Sequence, residues 1–152
     1  MDQSHATQAD TPVAATPSEL YTRLNARLQG GLPGLLGLEL VEARPGFLTM
    51  QVTIRPHHLA ANGYLHAGTV VTLADTACGF GCLASLPEGA HNFTTIELKS
   101  NFLRTATSGR LRATATLVHG GRRTQVWDAT VVHGDERTLA LFRCTQMLLY
   151  PI

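Results

Sequence analysis

The spacing of apolar residues predicts an amphipathic helix near the start of the chain. Leu20, Leu24 and Leu28 recur every four residues after Pro17, and arginines occupy other positions. The glycine pair at 30–31 should end this helix. Its single apolar face predicts that it covers a sheet edge or acts as a lid.

Most of the remaining chain has the apolar pattern of β-strands, separated by Arg-Pro-Gly, Ser-Gly, Gly-Gly and Gly-Asp turns. The first two strands are close enough to form a hairpin. The last four are long, which predicts a strongly curved antiparallel meander. The predicted strands are 36–43, 47–54, 91–103, 109–118, 123–132 and 137–149.

One segment, 67–86, changes to helical spacing and is ended by Pro87. Its other residues are mostly small, so the helix should be buried on most sides. We therefore predict an α+β fold in which a curved antiparallel sheet wraps around one long central helix.

Length and composition limit the functions that this fold can serve. The 152 residues suffice for one domain, which we place at 18–152. Residues 1–17 are rich in Ala, Thr, Pro, Ser and Asp, as in a disordered tail. The net charge of +1 gives a field too weak to indicate a non-specific nucleic-acid binder or a polybasic membrane binder. Three cysteines and the lack of a recognisable secretory signal predict a cytoplasmic protein.

The most informative residue is Asp75, because a carboxylate within an apolar helix is costly unless it is paired or faces a cavity. Thr72, Thr76 and Gly79 share its helix face and form a polar or small stripe. One interpretation is a structural aspartate bonded to core hydroxyls. The other is a catalytic carboxylate whose basicity is tuned by burial.

A turn at residues 62–68 leads directly into the helix N-terminus. Free backbone N–H groups at such a terminus, together with the helix dipole, can bind a carbonyl oxygen or a developing oxyanion. His66 lies at this junction. It either caps the helix and packs the loop, or acts on a substrate.

The segment NGYLHAGTVVTLADTA, residues 62–77, resembles the signature of hotdog-fold thioesterases of the PaaI-like and 4-hydroxybenzoyl-CoA thioesterase type. That signature is Gly-x-x-His-Gly-Gly with an acidic residue nine positions after the His, an interval that His66 and Asp75 keep. The resemblance extends from the first hairpin through the last strand. It implies a hotdog fold and hydrolysis of an acyl-CoA thioester.

The resemblance also implies roles for single residues. Asp75 would activate water or attack the thioester carbonyl, and the Ala67 N–H would polarise that carbonyl. His66 would hold the loop. In relatives a Ser or Thr on the first strand after the helix completes the site from the other subunit. Thr95 is the best match and Thr94 the second, and the two face opposite sides of a strand.

The sequence departs from the signature at three positions. Ala67 replaces the first glycine of the Gly-Gly pair. Relatives often have Asn or Gln six residues before the His, where this chain has Ala60, which leaves Asn62 as the candidate. Gly79 stands where some relatives have a hydroxyl that orients water. These departures predict a site that relies on Asp75 and the helix terminus.

Six basic residues and no acidic one lie between Leu98 and Trp127. Arginine forms forked contacts with phosphate, so this excess would suit the phosphates of CoA. The alternative is charge that keeps strand edges soluble. We assign Gly68, Arg104, Arg122 and Arg123 to CoA, which is part of the substrate. No separate cofactor and no metal are expected.

A lone protomer of this kind leaves sheet edges exposed, so we expect a homodimer or homotetramer with shared sites. Neither a nucleic acid nor a membrane is expected as a partner. The acyl group is predicted to be aromatic or of medium chain length. The alternatives to a thioesterase are a hotdog hydratase or dehydratase acting on acyl-CoA or acyl carrier protein, and a non-catalytic acyl-CoA sensor.

Overall fold

The computed structural model describes residues 17–134 and 137–152. The predicted tail therefore lies outside the described residues, except for Pro17, where the first helix begins. The helices are α1 Pro17–Leu28, α2 Gly31–Leu35 and α3 Ala67–Ala84. The strands are β1 Glu39–Arg44, β2 Phe47–Thr53, β3 Asn92–Phe102, β4 Arg110–Gly120, β5 Thr124–His133 and β6 Thr138–Leu149. A short 3-10 helix covers Pro56–His58.

All six strands form one antiparallel sheet in the order β1-β2-β4-β5-β6-β3. Strands β4, β5 and β6 form a meander as predicted, but β3 pairs with β6 instead of β4. The expectation that the last four strands form one meander is therefore wrong. The chain leaves β2, crosses the sheet through α3 and enters β3 at the far edge, and β4 then returns to pair with β2.

The sheet wraps around α3, so the α+β fold predicted from the sequence is confirmed. On β6, Cys144 and Gln146 are fully buried beneath the helix, whereas Arg143 and Met147 are exposed on the other face of the sheet. By length and composition α3 alone among the described helices would suffice to span a membrane, but half of it is buried in this core.

One edge strand of the sheet is covered by a helix, whereas the other has exposed apolar side chains. Helix α1 buries its three leucines and packs against β1, where the Tyr21 hydroxyl donates to the Leu40 carbonyl at 3.0 Å. The predicted role of α1 as an edge cover is thus observed. The other edge, β3, has exposed apolar side chains at Ile96, Leu98 and Phe102.

The start of the sheet differs from the prediction. Residues 31–35 form α2, and β1 begins at Glu39 instead of Leu36. The backbone of Gly31 has a φ of 63°, which a glycine adopts without strain and which starts a new helix after α1 ends. The glycines at 30–31 end the first helix as predicted, but they do not lead into a strand.

Candidate active site

Asp75 lies in the middle of α3, half-buried, and contacts the first strand after the helix. Its Oδ1 accepts a hydrogen bond from Thr95 Oγ1 at 3.3 Å. Thr95 points towards α3, whereas Thr94 is exposed on the opposite face, beside Met147. The structure therefore brings together the two residues that the sequence paired. This contact forms within one protomer, whereas the resemblance implied a hydroxyl from the other subunit.

Burial raises the pKa of the Asp75 carboxyl above its ordinary value, and the hydrogen bond from Thr95 partly opposes this effect. No hydrogen bond or salt bridge joins Asp75 to a cationic group within residues 17–134 and 137–152. A carboxylate whose pKa is raised is a stronger base than one in water. This is the property that a general base for hydrolysis requires.

His66 caps the N-terminus of α3. Its Nδ1 accepts the Gly68 N–H at 2.8 Å, so the ring proton of the neutral imidazole lies on Nε2. A Cβ added at Gly68 would lie 2.9 Å from that Nδ1, which explains the glycine. The capping interpretation of His66 is therefore the one the geometry favours. The N–H of Gly68 is used by this cap, and a contact of Gly68 with CoA stays a prediction.

The backbone N–H of Ala67 differs from the next three N–H groups of α3 in its hydrogen bonding. Those of Gly68, Thr69 and Val70 all bond to His66, through its ring or its carbonyl oxygen. Within the described residues, the Ala67 N–H has no protein acceptor. It is the first donor of an exposed helix terminus, where the helix dipole is positive. A carbonyl oxygen can bind there, as the resemblance implied.

His58 is a buried packing residue of the loop before α3. Its Nδ1 accepts the Arg55 N–H at 2.9 Å and its Nε2 donates to the Leu36 carbonyl at 2.8 Å. Its own carbonyl oxygen accepts the His66 N–H and the Thr69 hydroxyl. Fully buried, His58 ties α2 and the loop to α3. Burial lowers the pKa of His58, which favours the neutral ring that these bonds require.

Asn62 occupies an exposed turn before the helix. Its Oδ1 accepts the Tyr64 N–H at 3.2 Å, and the Ala60 N–H bonds to the Tyr64 carbonyl at 2.7 Å. The side chain thus stabilises the turn that delivers His66 to the helix. A direct catalytic role for Asn62 stays a prediction.

Gly79, one turn after Asp75, is packed against an aromatic ring. A Cβ at this position would lie 2.6 Å from Cζ of Phe93 on β3. The ring occupies the space that a hydroxyl-bearing side chain would need, which accounts for this departure from the signature.

The arginines assigned to CoA lie at opposite ends of the sheet. Arg104 follows β3 and donates to the Thr138 carbonyl at the start of β6. The Arg123 carbonyl accepts the N–H of Leu148 at the end of β6. Thr138 and Leu148 are ten residues apart on β6, which an extended strand spans over about 33 Å. Within one protomer, Arg104 therefore does not join Arg122 and Arg123 in one nucleotide site.

Arg122 and Arg123 line a cavity of about 630 Å³. Thr124 and Met147 in its wall face away from α3, so the cavity opens on the outer face of the sheet, opposite Asp75. Tyr150 and Leu148 complete the lining. In the described parts of the chain, no cluster of three or more His, Cys, Asp or Glu side chains is arranged to hold a metal ion.

Replacing His66 should distinguish a cap from a catalytic imidazole. We expect His66→Asn to keep most of the stability and turnover, because its side-chain oxygen can accept the same N–H. His66→Leu should lose about 1 kcal/mol of unfolding free energy and several-fold in turnover. Urea denaturation and thioester hydrolysis measure both. Equal loss of turnover in the two variants, with stability retained in the asparagine variant, would instead assign the chemistry to the imidazole.

Comparison with known proteins places these residues in a family. Residues 62–140 match the model of the Thioesterase superfamily. The chain is 32% identical over 115 residues to the 1,4-dihydroxy-2-naphthoyl-CoA hydrolase of Listeria monocytogenes, covering 76% of this chain and 93% of that relative. It is also 32% identical over 109 residues to the acyl-coenzyme A thioesterase PaaI of Escherichia coli, covering 71% and 75%.

Solved structures agree with this match. The structure of a mutant thioesterase from Pseudomonas aeruginosa superimposes with a TM-score of 0.81 at 27% identity, covering 86% of this chain and 94% of that one. The matched segment includes Asn62, His66, Asp75 and Thr95. The chain therefore belongs to the hotdog-fold thioesterase superfamily, is PaaI-like, and is an acyl-CoA thioester hydrolase.

Proposed function

We propose that the chain hydrolyses aromatic or medium-chain acyl-CoA thioesters with Asp75 as the base or nucleophile. The observation that carries this proposal is the half-buried Asp75 carboxylate, which accepts a hydrogen bond from Thr95, together with the free Ala67 N–H at the terminus of α3. Acyl transfer to water requires a carboxylate and an oxyanion donor at the same carbonyl group. Ala67 and Asp75 are eight residues apart on α3, about 12 Å along the helix axis, so the two groups at one thioester would come from different subunits of a dimer.

In this reaction the thioester carbonyl oxygen accepts the Ala67 N–H of one subunit, which stabilises the charge that develops on it. The partner subunit's Asp75 either removes a proton from the attacking water or attacks the carbonyl carbon itself. In both routes the C–S bond breaks and the thiol of CoA leaves with a proton. In the general-base route the hydroxyl of water adds to the acyl carbonyl, whereas direct attack forms an acyl-Asp75 anhydride that water then opens. Single turnover in oxygen-18 water identifies direct attack by label in the Asp75 carboxylate, which enters when water adds to the Asp75 carbonyl of the anhydride and which the general-base route cannot give.

The acyl specificity is supported by relatives rather than by geometry. One relative is named for an aromatic acyl-CoA, 1,4-dihydroxy-2-naphthoyl-CoA. We extend an aromatic preference to this chain on that similarity. CoA enters as part of the substrate, no further cofactor or metal is proposed, and the proposed location is the cytoplasm.

We further propose a homodimer built by antiparallel pairing of β3 with its copy. Leu98 pairs with buried Cys144 and Phe102 with buried Ala140, so both side chains point to the helix side of the sheet. They are nevertheless 43% and 49% exposed, on a strand whose free side no element of the described residues covers. A second subunit paired along β3 would cover them, beside the terminus of α3. A tetramer of two such dimers remains the larger alternative.

Such pairing would also bring Arg104 of one subunit nearer to Arg122 and Arg123 of the other. Antiparallel pairing brings the Arg104 end of one β3 to the Arg123 end of the other subunit's sheet. Three strand spacings, about 14 Å, then separate the two groups laterally. A CoA site shared between subunits would therefore draw Arg104 from one and Arg122 with Arg123 from the other.

A substrate panel tests the function. Thiol release is measured for phenylacetyl-, 4-hydroxybenzoyl-, hexanoyl- and palmitoyl-CoA, and for the same acyl groups on N-acetylcysteamine, which has no phosphates. We expect turnover of the aromatic or medium-chain thioesters, with a higher kcat/KM for CoA than for N-acetylcysteamine. Lack of hydrolysis across the panel would contradict the proposed substrates, and equal kcat/KM values on the two carriers would contradict phosphate recognition.

The dimer is tested by placing a charge on each edge strand. We expect the wild type to sediment as a dimer or larger, and Leu98→Lys to sediment as a monomer with reduced turnover. Val41→Lys is the matched control, because Val41 is 42% exposed on the opposite edge strand, β1. It should leave assembly and turnover unchanged. A fully active monomeric wild type would contradict the shared site.

A further inference from the structure

A chain of buried polar side chains continues from Asp75 into the core. Thr95 Oγ1 lies 3.3 Å from Asp75 Oδ1 and 2.9 Å from Gln146 Oε1. Gln146 is fully buried on the neighbouring strand β6, directly opposite Thr95. Its Nε2 donates to Cys144 Sγ at 3.2 Å. The acidic residue of the site is thus connected, through one hydroxyl, to an amide that no solvent reaches.

The Thr95 hydroxyl has one proton and two acceptors. A hydroxyl donates a single hydrogen bond and accepts with its lone pairs. The contact with Gln146 is the shorter of the two. The Gln146 amide keeps its oxygen towards Thr95 because its nitrogen donates to Cys144.

We propose that Gln146 is a positioning residue for hydrolysis: it competes with Asp75 for the Thr95 proton and so limits the hydrogen bond that stabilises the carboxylate. This rests on the proposed function of Asp75. Gln146 touches neither substrate nor the reacting atoms, and it acts through Thr95. Its effect is to keep the carboxylate under-stabilised and therefore more basic.

The other ionisable groups that face Asp75 in the described residues are two thiols, those of Cys78 on α3 and Cys144 on β6. The hydrogen bonds of Thr95 and Gln146 are therefore what adjusts the basicity of the Asp75 carboxylate. The neighbouring Cys144 thiol and burial both raise the pKa of the Cys78 thiol, so it stays neutral. On β3, Glu97 pairs with Thr145, on the outer face of the sheet, and does not face Asp75. His66 is at the terminus of α3, two to three turns before Asp75, with its Nδ1 on Gly68.

Opposite shifts from two substitutions test the proposal. In Gln146→Met the competitor is removed and Thr95 donates fully to Asp75, so the Asp75 carboxylate should titrate about half to one pH unit lower than in the wild type. In Thr95→Val the donor is lost, and the carboxylate should titrate higher. The double variant should behave like Thr95→Val, because Gln146 acts only through the hydroxyl.

The readout is the carbon-13 carboxyl titration of substrate-free protein, with the Asp75 signal assigned by its loss in Asp75→Asn. Gln125→Met is the matched control. Gln125 is equally buried and pairs with Gln146 across β5 and β6, but it bonds to the Ser85 carbonyl and to Trp127. It should leave the Asp75 titration unchanged. Gln146→Leu serves as a second variant if the methionine protein does not fold.

An unchanged or raised Asp75 titration in Gln146→Met and Gln146→Leu overturns the proposal, as does an additive double variant. The acidic limb of the kcat/KM profile is measured separately. It should move to lower pH with the carboxylate in Gln146→Met, raising the rate on the acid side. If the carboxylate shifts and the limb does not, Gln146 has the proposed role but Asp75 is not the base.

Discussion

Replacing Asp75 with asparagine should lower kcat for thioester hydrolysis about 100- to 10,000-fold, the range that general-base catalysis contributes. The amide keeps the size of the side chain and can still accept the Thr95 hydroxyl, but it neither takes a proton nor attacks a carbonyl. Thiol release on the best thioester of the panel, at saturating concentration, measures the loss.

This loss should not come from unfolding. Burial raises the pKa of Asp75, so the folded state binds that proton more tightly than the unfolded chain. Stability contributed by this group is therefore present at low pH and declines as pH rises through the folded value. At neutral pH, Asp75→Asn should be at least as stable as the wild type.

Asp128→Asn is the control for the loss of a negative charge. Asp128 lies on β5, and its Oδ2 accepts from Arg143 at 2.7 Å on the face of the sheet away from α3. This exposed pair should contribute little to stability, and its removal should leave turnover unchanged. Retained hydrolysis in Asp75→Asn would contradict the mechanism, even though the chain is a thioesterase.

Gly81→Ala should destabilise the protein by about 2 kcal/mol although alanine favours helices by about 1 kcal/mol over glycine. A Cβ at Gly81 would lie 2.7 Å from Cζ3 and 2.8 Å from Cη2 of Trp127. That indole is fully buried and its N–H donates to Gln125, so the ring has no free space into which it can move. Urea denaturation at matched protein concentration measures the loss, and Tm should fall by about 5 °C.

Because of this clash, the effects of substitutions at Gly81 and Trp127 on the free energy of unfolding should be coupled. In a Trp127→Phe background the smaller ring makes room, and the same Gly81→Ala change should cost less or become favourable. Equal costs in the two backgrounds would show that the indole is not the obstacle. Trp127→Phe alone supplies the reference, since it has its own cost from the lost hydrogen bond and the cavity.

The parts of the fold that depend on local periodicity could be predicted from the sequence. The long helix α3 and the six strands lie within a few residues of their expected bounds, because side-chain burial repeats with the period of each element. Helix α2 was missed, since its sequence GLPGL has two glycines and a proline and no helical propensity. Its end is held by a distant contact, the bond from His58 to the Leu36 carbonyl.

The pairing of the strands was harder to predict, because the alternation of apolar and polar residues identifies a strand without identifying its neighbour in the sheet. The position of β3 beside β6 follows from how α3 crosses the sheet. The same limit explains the arginines: Arg104 and Arg122 are close in sequence, yet the turn after β3 and the length of β4 carry them to opposite ends.

At the candidate site, too, local patterns could be predicted from the sequence and contacts between distant residues could not. The interval between His66 and Asp75, and the alternation of Thr94 and Thr95, identified residues that the structure brings together. Two adjacent histidines, 57 and 58, could not be separated by sequence, and only the second is buried. The partner of Thr95 on its other side, Gln146, is 51 residues away and had no local signal.

The unequal edges of the sheet also determine how far assembly can proceed. In the proposed dimer, strand addition at β3 would join two six-stranded sheets into one, and the outer strands of the joined sheet would then both be β1. Each of these is short, bulged near Leu40 and covered by α1. Because a two-fold contact uses the same edge twice, growth ends after one pairing. In that dimer, α1 would therefore prevent further strand addition and so protect the protein from open-ended β-aggregation.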